Sequence, residues 1–110
     1  MFKISGNTIS ITRGDTAFFT LNITQNGEPY DYSDDTVLFT VKSNVYTSDV
    51  LLQKQVQYGE NVVILPSDTN KLNYGEYWYD VQLTTSLGVV DTVITPSRFR
   101  VMQEVTFNGN

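Results

Sequence analysis

Three carboxylates lie close together in one predicted loop, and closely spaced carboxylates could hold a hard cation. Asp31, Asp34 and Asp35 follow the turn-forming segment Gly27 to Pro29. Calcium takes about six to eight oxygen ligands, of which these side chains could supply some. The spacing differs from that of an EF-hand loop, and local bonds from Asp31 or Ser33 to the backbone are the competing interpretation. We predict no cofactor and no metal site, with the three aspartates as the candidates should a metal bind.

A second set of carboxylates, Glu76, Asp80 and Asp91, has the residue type of a glycosidase acid pair. Such a pair needs a groove and a separation of roughly 5 to 9 Å, and the sequence indicates neither. Asp80 and Asp91 fall on predicted hairpin partners, where outward charges keep an edge soluble. Histidine and cysteine are absent, which excludes Ser-His-Asp and Cys-His nucleophile systems, imidazole and thiolate metal sites, and disulfides. We therefore predict no catalytic residues and no enzymatic activity.

Trp78, Tyr74 and Tyr58 are the candidates for an interface or a ligand site. Trp78 alternates with Tyr77 and Tyr79 along one strand pattern, so we expect it on the outer face together with Tyr74 and Tyr58. Flat amphipathic rings suit two kinds of contact, a sugar platform or a subunit interface. The competing interpretation is that a loop covers Trp78.

Length and charge restrict the class of protein further. The 110 residues carry seven Lys and Arg against twelve Asp and Glu, a formal net charge of −5. A chain of this length buries roughly 65% of the surface it exposes when unfolded, so we predict one domain over residues 1–110 with its core at about 8–106. Acidic residues outnumber basic ones and the basic residues form no run, so the sequence predicts no positively charged surface for nucleic acid or an anionic membrane. The longest apolar run, Val62 to Leu65, is too short to span a bilayer, and the amino-terminal residues show no secretory signal.

Apolar and polar residues alternate with a period of two along most of the chain, which predicts strands with one packed and one wet face. The expected strands cover Thr8 to Thr12, Phe19 to Thr24, Thr36 to Lys42, Val50 to Gln57, Asn61 to Leu65, Tyr77 to Thr84, Val89 to Thr95 and Phe99 to Val105. Turns are expected at Gly27-Glu28-Pro29, Tyr58-Gly59-Glu60, Ser86-Leu87-Gly88 and Pro96-Ser97, and Ser67 to Leu72 could form one helical turn.

About eight short strands without helical crossovers predict an all-β fold, an antiparallel immunoglobulin-like β-sandwich of about seven or eight strands. The start of the longest strand supports this prediction, because Gly75 precedes Tyr77. In immunoglobulin-like sandwiches a Tyr at this point sends its hydroxyl back to the backbone a few residues upstream. Tyr79 stands two residues on, where antibody domains carry a cysteine. Gly75, Tyr77 and Tyr79 are thus the predicted structural corner, and the alternative is that the two tyrosines only supply core area.

The sequence has a Thr-x-Gly-Asp segment at Thr12 to Asp15 and an x-Gly-x-Tyr segment at Tyr74 to Tyr77 that opens the long strand. Together with further turn and core positions over about residues 8–106, this layout resembles the amino-terminal domain of the phage baseplate upper protein family. That family belongs to tailed phages of Gram-positive bacteria. The resemblance implies an immunoglobulin-like β-sandwich that serves as a building block of a virion's tail or baseplate. Family members continue into a helical linker and a docking region for the receptor-binding protein, whereas this chain ends at Asn110, so a head or tail decoration subunit, or another use of a prophage gene, stays open.

Two functions from different classes follow. The first is a structural protein of a phage or prophage virion, assembled in the host cytoplasm, which associates with itself and with other virion proteins and performs no catalysis. The alternative is a carbohydrate-binding or adhesion module that uses Trp78 and Tyr74 as a stacking platform for a glycan. Self-association favours the first function, and glycan binding that depends on Trp78 favours the second.

Overall fold

The computed structural model of the chain describes residues 3–5 and 7–103, and it shows an all-β fold. The elements in chain order are β1 (Lys3–Ser5), β2 (Thr8–Thr12), β3 (Ala17–Phe19), β4 (Thr24–Gln25), β5 (Glu28–Pro29), β6 (Thr36–Lys42), β7 (Val50–Gln55), β8 (Val62–Ile64), α1 (Pro66–Thr69), β9 (Gly75–Thr84) and β10 (Val90–Met102). The only helix among these residues is the single turn α1, which falls within the predicted segment Ser67 to Leu72 apart from its first residue.

Six strands form the main sheet, in the order β1-β2-β10-β9-β6-β7. Neighbours in this sheet are antiparallel except β2 and β10, which run parallel over Phe99 to Met102 of β10. Ser10 of β2 therefore pairs with Lys3 of β1 on one side and with Arg100 of β10 on the other. The prediction that all neighbouring strands are antiparallel is wrong for β2 and β10. Alternation along a single strand carries no information on the direction of its neighbour.

A two-stranded sheet of β3 and β8 covers the inner face of the main sheet, and β4 and β5 form a separate short hairpin. The two sheets meet at an edge-to-face contact between the rings of Phe19 and Phe39, whose centroids lie 5.5 Å apart. Phe39 also contacts the rings of Tyr79 and Phe99 at 5.2 and 6.2 Å. Aromatic side chains bury large areas and prefer such tilted arrangements, so this cluster is the centre of the core.

On three strands of the main sheet the inward positions of the predicted alternations are buried, whereas the expected strand Val89 to Thr95 contains no buried residue. Along β6 the apolar residues Val37, Phe39 and Val41 are fully buried, while the residues between them are partly or fully exposed. The same alternation holds on β2 and over the second half of β9. The core contains Ile9, Ile11, Ala17, Phe19, Leu21, Tyr32, Val37, Phe39, Val41, Leu52, Val56, Val62, Ile64, Leu72, Tyr79, Val81, Leu83, Phe99 and Val101.

The end of the chain differs from the prediction of two strands joined by a turn at Pro96-Ser97. One continuous strand, β10, runs through this point, with register shifts between Thr92 and Ile94 and between Ile94 and Ser97. Proline lacks the N–H that a ladder needs, and an extra residue in a β-bulge accommodates it without ending the strand. The final strand stops at Met102 within the described range. Residues 104 and 105, which the prediction included, lie outside the described residues.

Two other segments differ from their predictions. Only the two ends of the strand expected over Phe19 to Thr24 are paired: Phe19 ends β3, whose partner β8 has three residues, and Thr24 begins β4, which pairs with β5. The turn expected at Gly27-Glu28-Pro29 lies one residue earlier, at Asn26 and Gly27, which have φ values of 55° and 81°. Positive φ at both central residues is what a tight two-residue hairpin requires, and Asn-Gly supplies it at least cost. Glu28 and Pro29 consequently belong to β5.

Candidate functional site

The acidic loop does not bring its carboxylates together. Asp31 accepts a hydrogen bond of 2.9 Å from the backbone N–H of Ser33, and bonding to Ser33 lowers the pKa of Asp31. Asp35 accepts a hydrogen bond of 2.5 Å from the Tyr30 hydroxyl, which raises the pKa of Tyr30. Over residues 3–5 and 7–103, no cluster of three acidic side chains is arranged to hold a metal ion. Asp31 therefore forms the local bond to the backbone that was the competing interpretation for this loop. Asp34 is exposed.

The second set of carboxylates is also spread out. Glu76 lies 2.6 Å from the Arg98 guanidinium and 3.2 Å from that of Arg100, and the Arg98 hydrogen bond lowers the pKa of Glu76. Asp91 of β10 pairs with Leu83 of β9, so Asp80 and Asp91 are not cross-strand partners. The prediction that Asp80 and Asp91 lie on paired strands is confirmed, because β9 pairs with β10, but the two residues do not face each other across the pair.

The three candidate aromatic residues do not share one patch. The ring of Tyr58 packs edge-to-face on Tyr32 at 5.0 Å, beyond β7 and near the end of the main sheet where β9 finishes. Tyr74 precedes β9 at the opposite end, and the Arg13 guanidinium lies 4.4 Å from its ring centroid. A strand as long as β9 spans roughly 30 Å. Tyr58 therefore lies at the other end of the sheet from Tyr74, and the three rings do not form one cluster.

The predicted corner residues lie at the start of β9. Gly75 has a φ of 144°, in the region that favours glycine. The Tyr77 hydroxyl donates a hydrogen bond of 2.7 Å to the carbonyl oxygen of Asn73, four residues upstream. Tyr79 is 4% exposed, and its hydroxyl donates to the carbonyl oxygen of Asn7 at 2.5 Å. These bonds hold the start of the central strand and connect it to the amino-terminal edge.

Trp78 lies on the outer face of the main sheet in a concave site that we call the Trp78 cleft. Strand register places Lys42 of β6 on one side of Trp78 and Arg98 of β10 on the other. The Arg98 guanidinium lies 5.6 Å from the Trp78 ring centroid. The cleft holds about 330 Å³ of space open to solvent, and the other side chains around it are those of Thr40, Lys42, Asn44, Val45, Asp80 and Pro96.

The bulge in β10 shapes one wall of the Trp78 cleft. Tyr79 pairs with Ser97 and Val81 pairs with Ile94, so two residues, Thr95 and Pro96, stand opposite the single residue Asp80. Bulges re-aim side chains and are common next to binding sites. Here the bulge places Pro96 at the cleft and leaves Asp80 without a cross-strand partner on β10.

Asp80 is the electrostatically unusual group of the cleft. Partial burial raises the pKa of Asp80, while the Lys42 ammonium opposes that rise. Within residues 3–5 and 7–103, no donor forms a hydrogen bond with the Asp80 carboxylate. Thr40, its neighbour on β6, accepts a hydrogen bond of 3.1 Å from Gln53. A partly buried carboxylate next to an indole ring is an acceptor that can bind a ligand.

Sequence reasoning named Trp78 and, in a set of carboxylates, Asp80, but missed the other residues that line this cleft. Lys42 and Thr40 reach it only through the pairing of β6 with β9, which the alternation along each strand does not reveal. A weak signal for the rest was present. Trp78 and Asp80 are two positions apart on one strand and so share a face, and a proline inside a strand pattern indicates a bulge.

A second concave feature, which we call the open groove, lies between residues 21–24 and residues 91–94 of β10. It holds about 630 Å³ of space open to solvent. The β2 strand covers the outer edge of β10 only from Phe99 onward. On the other side, Leu21 is buried and Asn22 is exposed, as in a strand, yet neither belongs to a strand ladder in the described part of the chain. Two strand-like edges thus face each other, and none of the strands formed by residues 3–5 and 7–103 lies between them.

No protein-family model matches the sequence, and no curated protein and no solved structure matches the chain. Among the described residues there is no helix with the length and apolar character needed to cross a membrane.

Proposed function

We propose that this chain is an immunoglobulin-like β-sandwich that serves as a structural protein of a phage or prophage virion, in its tail, baseplate or decoration layer. It acts through contacts with other copies of itself and with other virion proteins, and it performs no catalysis. The observation that carries the proposal is the open groove, where strand edges are available to another chain.

The layout of the strands supports the immunoglobulin-like assignment. Two sheets enclose one core, as in a sandwich, and the strand that contributes Phe39 lies opposite the strand that contributes Phe19. The bond from the Tyr77 hydroxyl to Asn73 has the form of the tyrosine corner found at the start of strand F in these folds. Tyr79 occupies the inward position two residues later, where its ring contacts Phe39 and Phe99.

The open groove supports a function in protein assembly. Exposed strand edges present unpaired N–H and C=O groups, and an extended segment of another chain can bond to them. Two apolar residues, Leu21 and Ile23, line the groove and pack on the core. Their side chains would contact every second residue of the added segment. A symmetric assembly repeats such a contact many times, so each contact can be modest and the whole stable.

The virion assignment comes from the resemblance to the baseplate upper protein family. A virion building block needs a stiff core and a surface that complements its neighbours, and it needs no nucleophile or metal. The aromatic core around Phe39 and the open groove are of this kind.

Sedimentation velocity over a concentration series tests self-association. We expect the wild-type chain to form oligomers as its concentration rises, and Asn22→Lys, which places a charge in the open groove, to shift it to monomer. Gln55→Lys is the matched control, because Gln55 is also exposed but lies on β7, the edge strand at the other side of the main sheet, away from the groove. A wild-type chain that stays monomeric at high concentration, or equal effects of the two substitutions, would contradict assembly through the groove.

The genes on either side of the coding sequence test the virion assignment. We expect them to encode tail, baseplate or head proteins, and we expect mass spectrometry of purified particles to find this chain in the virion. Flanking genes of unrelated metabolism, with particles that lack the chain, would refute the assignment even if the chain self-associates.

A further inference from the structure

We infer that the Trp78 cleft binds one neutral pyranose unit of a glycan, with the sugar ring packed on Trp78 and its hydroxyls bonded to Asp80 and Lys42. This site lies on the outer face of the main sheet, outside the open groove, and the inference does not depend on the proposed assembly function.

The Trp78 ring supplies the apolar surface that a sugar needs. The Arg98 guanidinium lies over the ring, 5.6 Å from its centroid, and does not line the cleft, so the sugar would pack on the part of the ring that faces the cleft. Arg98, itself paired with Glu76 at 2.6 Å, restricts the motion of the half-buried indole before any ligand arrives. A rigid aromatic ring offers contact area at low cost in conformational entropy, and amphipathic ligands such as sugars pack their C–H faces on it.

Donors and acceptors suited to sugar hydroxyls surround this ring. The Asp80 carboxylate accepts only, and no protein donor satisfies it in the described part of the chain. The Lys42 ammonium donates only, and Lys42 stands beside Trp78 in the strand register. Because each sugar hydroxyl both donates and accepts, neighbouring hydroxyls can bond to Asp80 and Lys42 together, and bonds to charged groups are the stronger ones.

The charges around the cleft argue against other ligand classes. Lys42 and Arg98 flank the ring, so a cation is repelled from the aromatic face that would otherwise attract it. An anion would meet the Asp80 carboxylate. Nucleic acid would meet a chain with a formal net charge of −5. A neutral polyhydroxyl ligand avoids each of these penalties.

The size of the cleft limits the ligand to one sugar unit. The cleft is shallow: only about 70 Å³ of it can hold a ligand, well below the roughly 300 to 1,000 Å³ of pockets that enclose a small molecule, so it can contact one face of a single unit. A contact with one unit is weak, so we expect a dissociation constant of about 1 mM. Useful affinity would require several copies of the site acting on one glycan.

The chain contains one tryptophan, so emission excited selectively at tryptophan, and not at the seven tyrosines, reports on this site alone. Titration with chitotriose, maltotriose and cellotriose to about 10 mM should give a saturable change in Trp78 emission with at least one trisaccharide. Binding should weaken about tenfold in Asp80→Asn, a loss of about 1.4 kcal/mol. Backbone NMR shifts of Thr40, Lys42 and Asp80 in the same titration should vanish in Trp78→Ala and partly return in Trp78→Phe.

Tyr46→Ala is the control, because Tyr46 is 94% exposed and does not line the cleft. It should bind like the wild type. Thermal unfolding of each variant verifies that the fold is kept, and Asp80→Asn serves as the decisive variant if Trp78→Ala does not fold. The inference is overturned if none of the three trisaccharides gives a saturable change, or if Asp80→Asn binds as tightly as the wild type. Sedimentation behaviour need not change in either case, so this test and that of the proposed function fail separately.

Discussion

The hydroxyl of Tyr79 donates a hydrogen bond to the carbonyl oxygen of Asn7, 72 positions earlier in the sequence. Tyr79 belongs to β9 and Asn7 precedes β2, and β10 lies between these two strands in the sheet. One side chain therefore joins two strands that share no backbone ladder. Because the ring of Tyr79 also contacts Phe39 and Phe99, the same residue links the amino-terminal edge to the centre of the core.

Tyr79→Phe should keep the core packing and remove this link. We expect the free energy of unfolding to fall by about 0.5 to 1.5 kcal/mol, the usual net contribution of one hydrogen bond. Urea unfolding followed by fluorescence measures the change, with Tyr46→Phe as a control at an exposed position. Equal stability of Tyr79→Phe and the wild type would show that the bond contributes nothing.

Alkaline pH should destabilise the fold through buried tyrosines. Burial raises the pKa of Tyr79 and of Tyr32 above the ordinary value of 10.0. The folded state thus keeps protons that the unfolded state releases, so the stabilising contribution is complete below pH 10 and declines as pH rises toward the folded-state pKa. Urea midpoints between about pH 8 and 11 should fall with pH, and less steeply in Tyr79→Phe. If the urea midpoint falls equally steeply with pH in the wild type and in Tyr79→Phe, the loss of stability at alkaline pH comes from groups other than Tyr79.

Phe39→Ala should be among the most damaging single substitutions. Phe39 is fully buried and contacts the rings of Phe19, Tyr79 and Phe99. Removing such a ring leaves a cavity and costs about 3 to 5 kcal/mol. Phe18→Ala is the comparison, because Phe18 is 58% exposed on β3 of the two-stranded sheet, so this substitution should lower the stability far less. Thermal or urea unfolding decides between them, and similar losses would place the centre of the core elsewhere.

Calcium should not stabilise the chain. Asp31 and Asp35 are bonded to Ser33 and Tyr30, and an ion would have to break these contacts and move Asp34 toward them. Titration calorimetry with calcium chloride should therefore give no heat of binding, and thermal unfolding should show no shift in Tm. A saturable heat that disappears in Asp31→Asn would restore the metal site considered for this loop.

The sequence predicts the strands that pack on one face better than it predicts their neighbours. Alternation along Thr36 to Lys42 and Tyr77 to Thr84 gives β6 and β9 almost to the residue, because a half-buried strand leaves a period of two in hydrophobicity. The all-β class follows from many such segments. The direction of β2 relative to β10 does not follow, since either direction buries the same face.

The candidate site could be predicted only in part for a related reason. Trp78 was expected on the outer face from its alternation with Tyr77 and Tyr79. Its neighbours Lys42 and Pro96 depend on the register between strands and on the β10 bulge, which are set by contacts between distant segments. Tyr58 lies at the other end of the sheet from Tyr74, and a shared residue type does not indicate a shared end of the sheet.

Ser10 stands between Lys3 on β1 and Arg100 on β10, so the first and last described strands are about two interstrand spacings apart, or roughly 10 Å. A few glycines could bridge that gap. Circular permutants that join this edge and open the chain at the Ser86 to Gly88 hairpin should therefore fold, and the unit could be inserted into a loop of a host protein without distorting either partner.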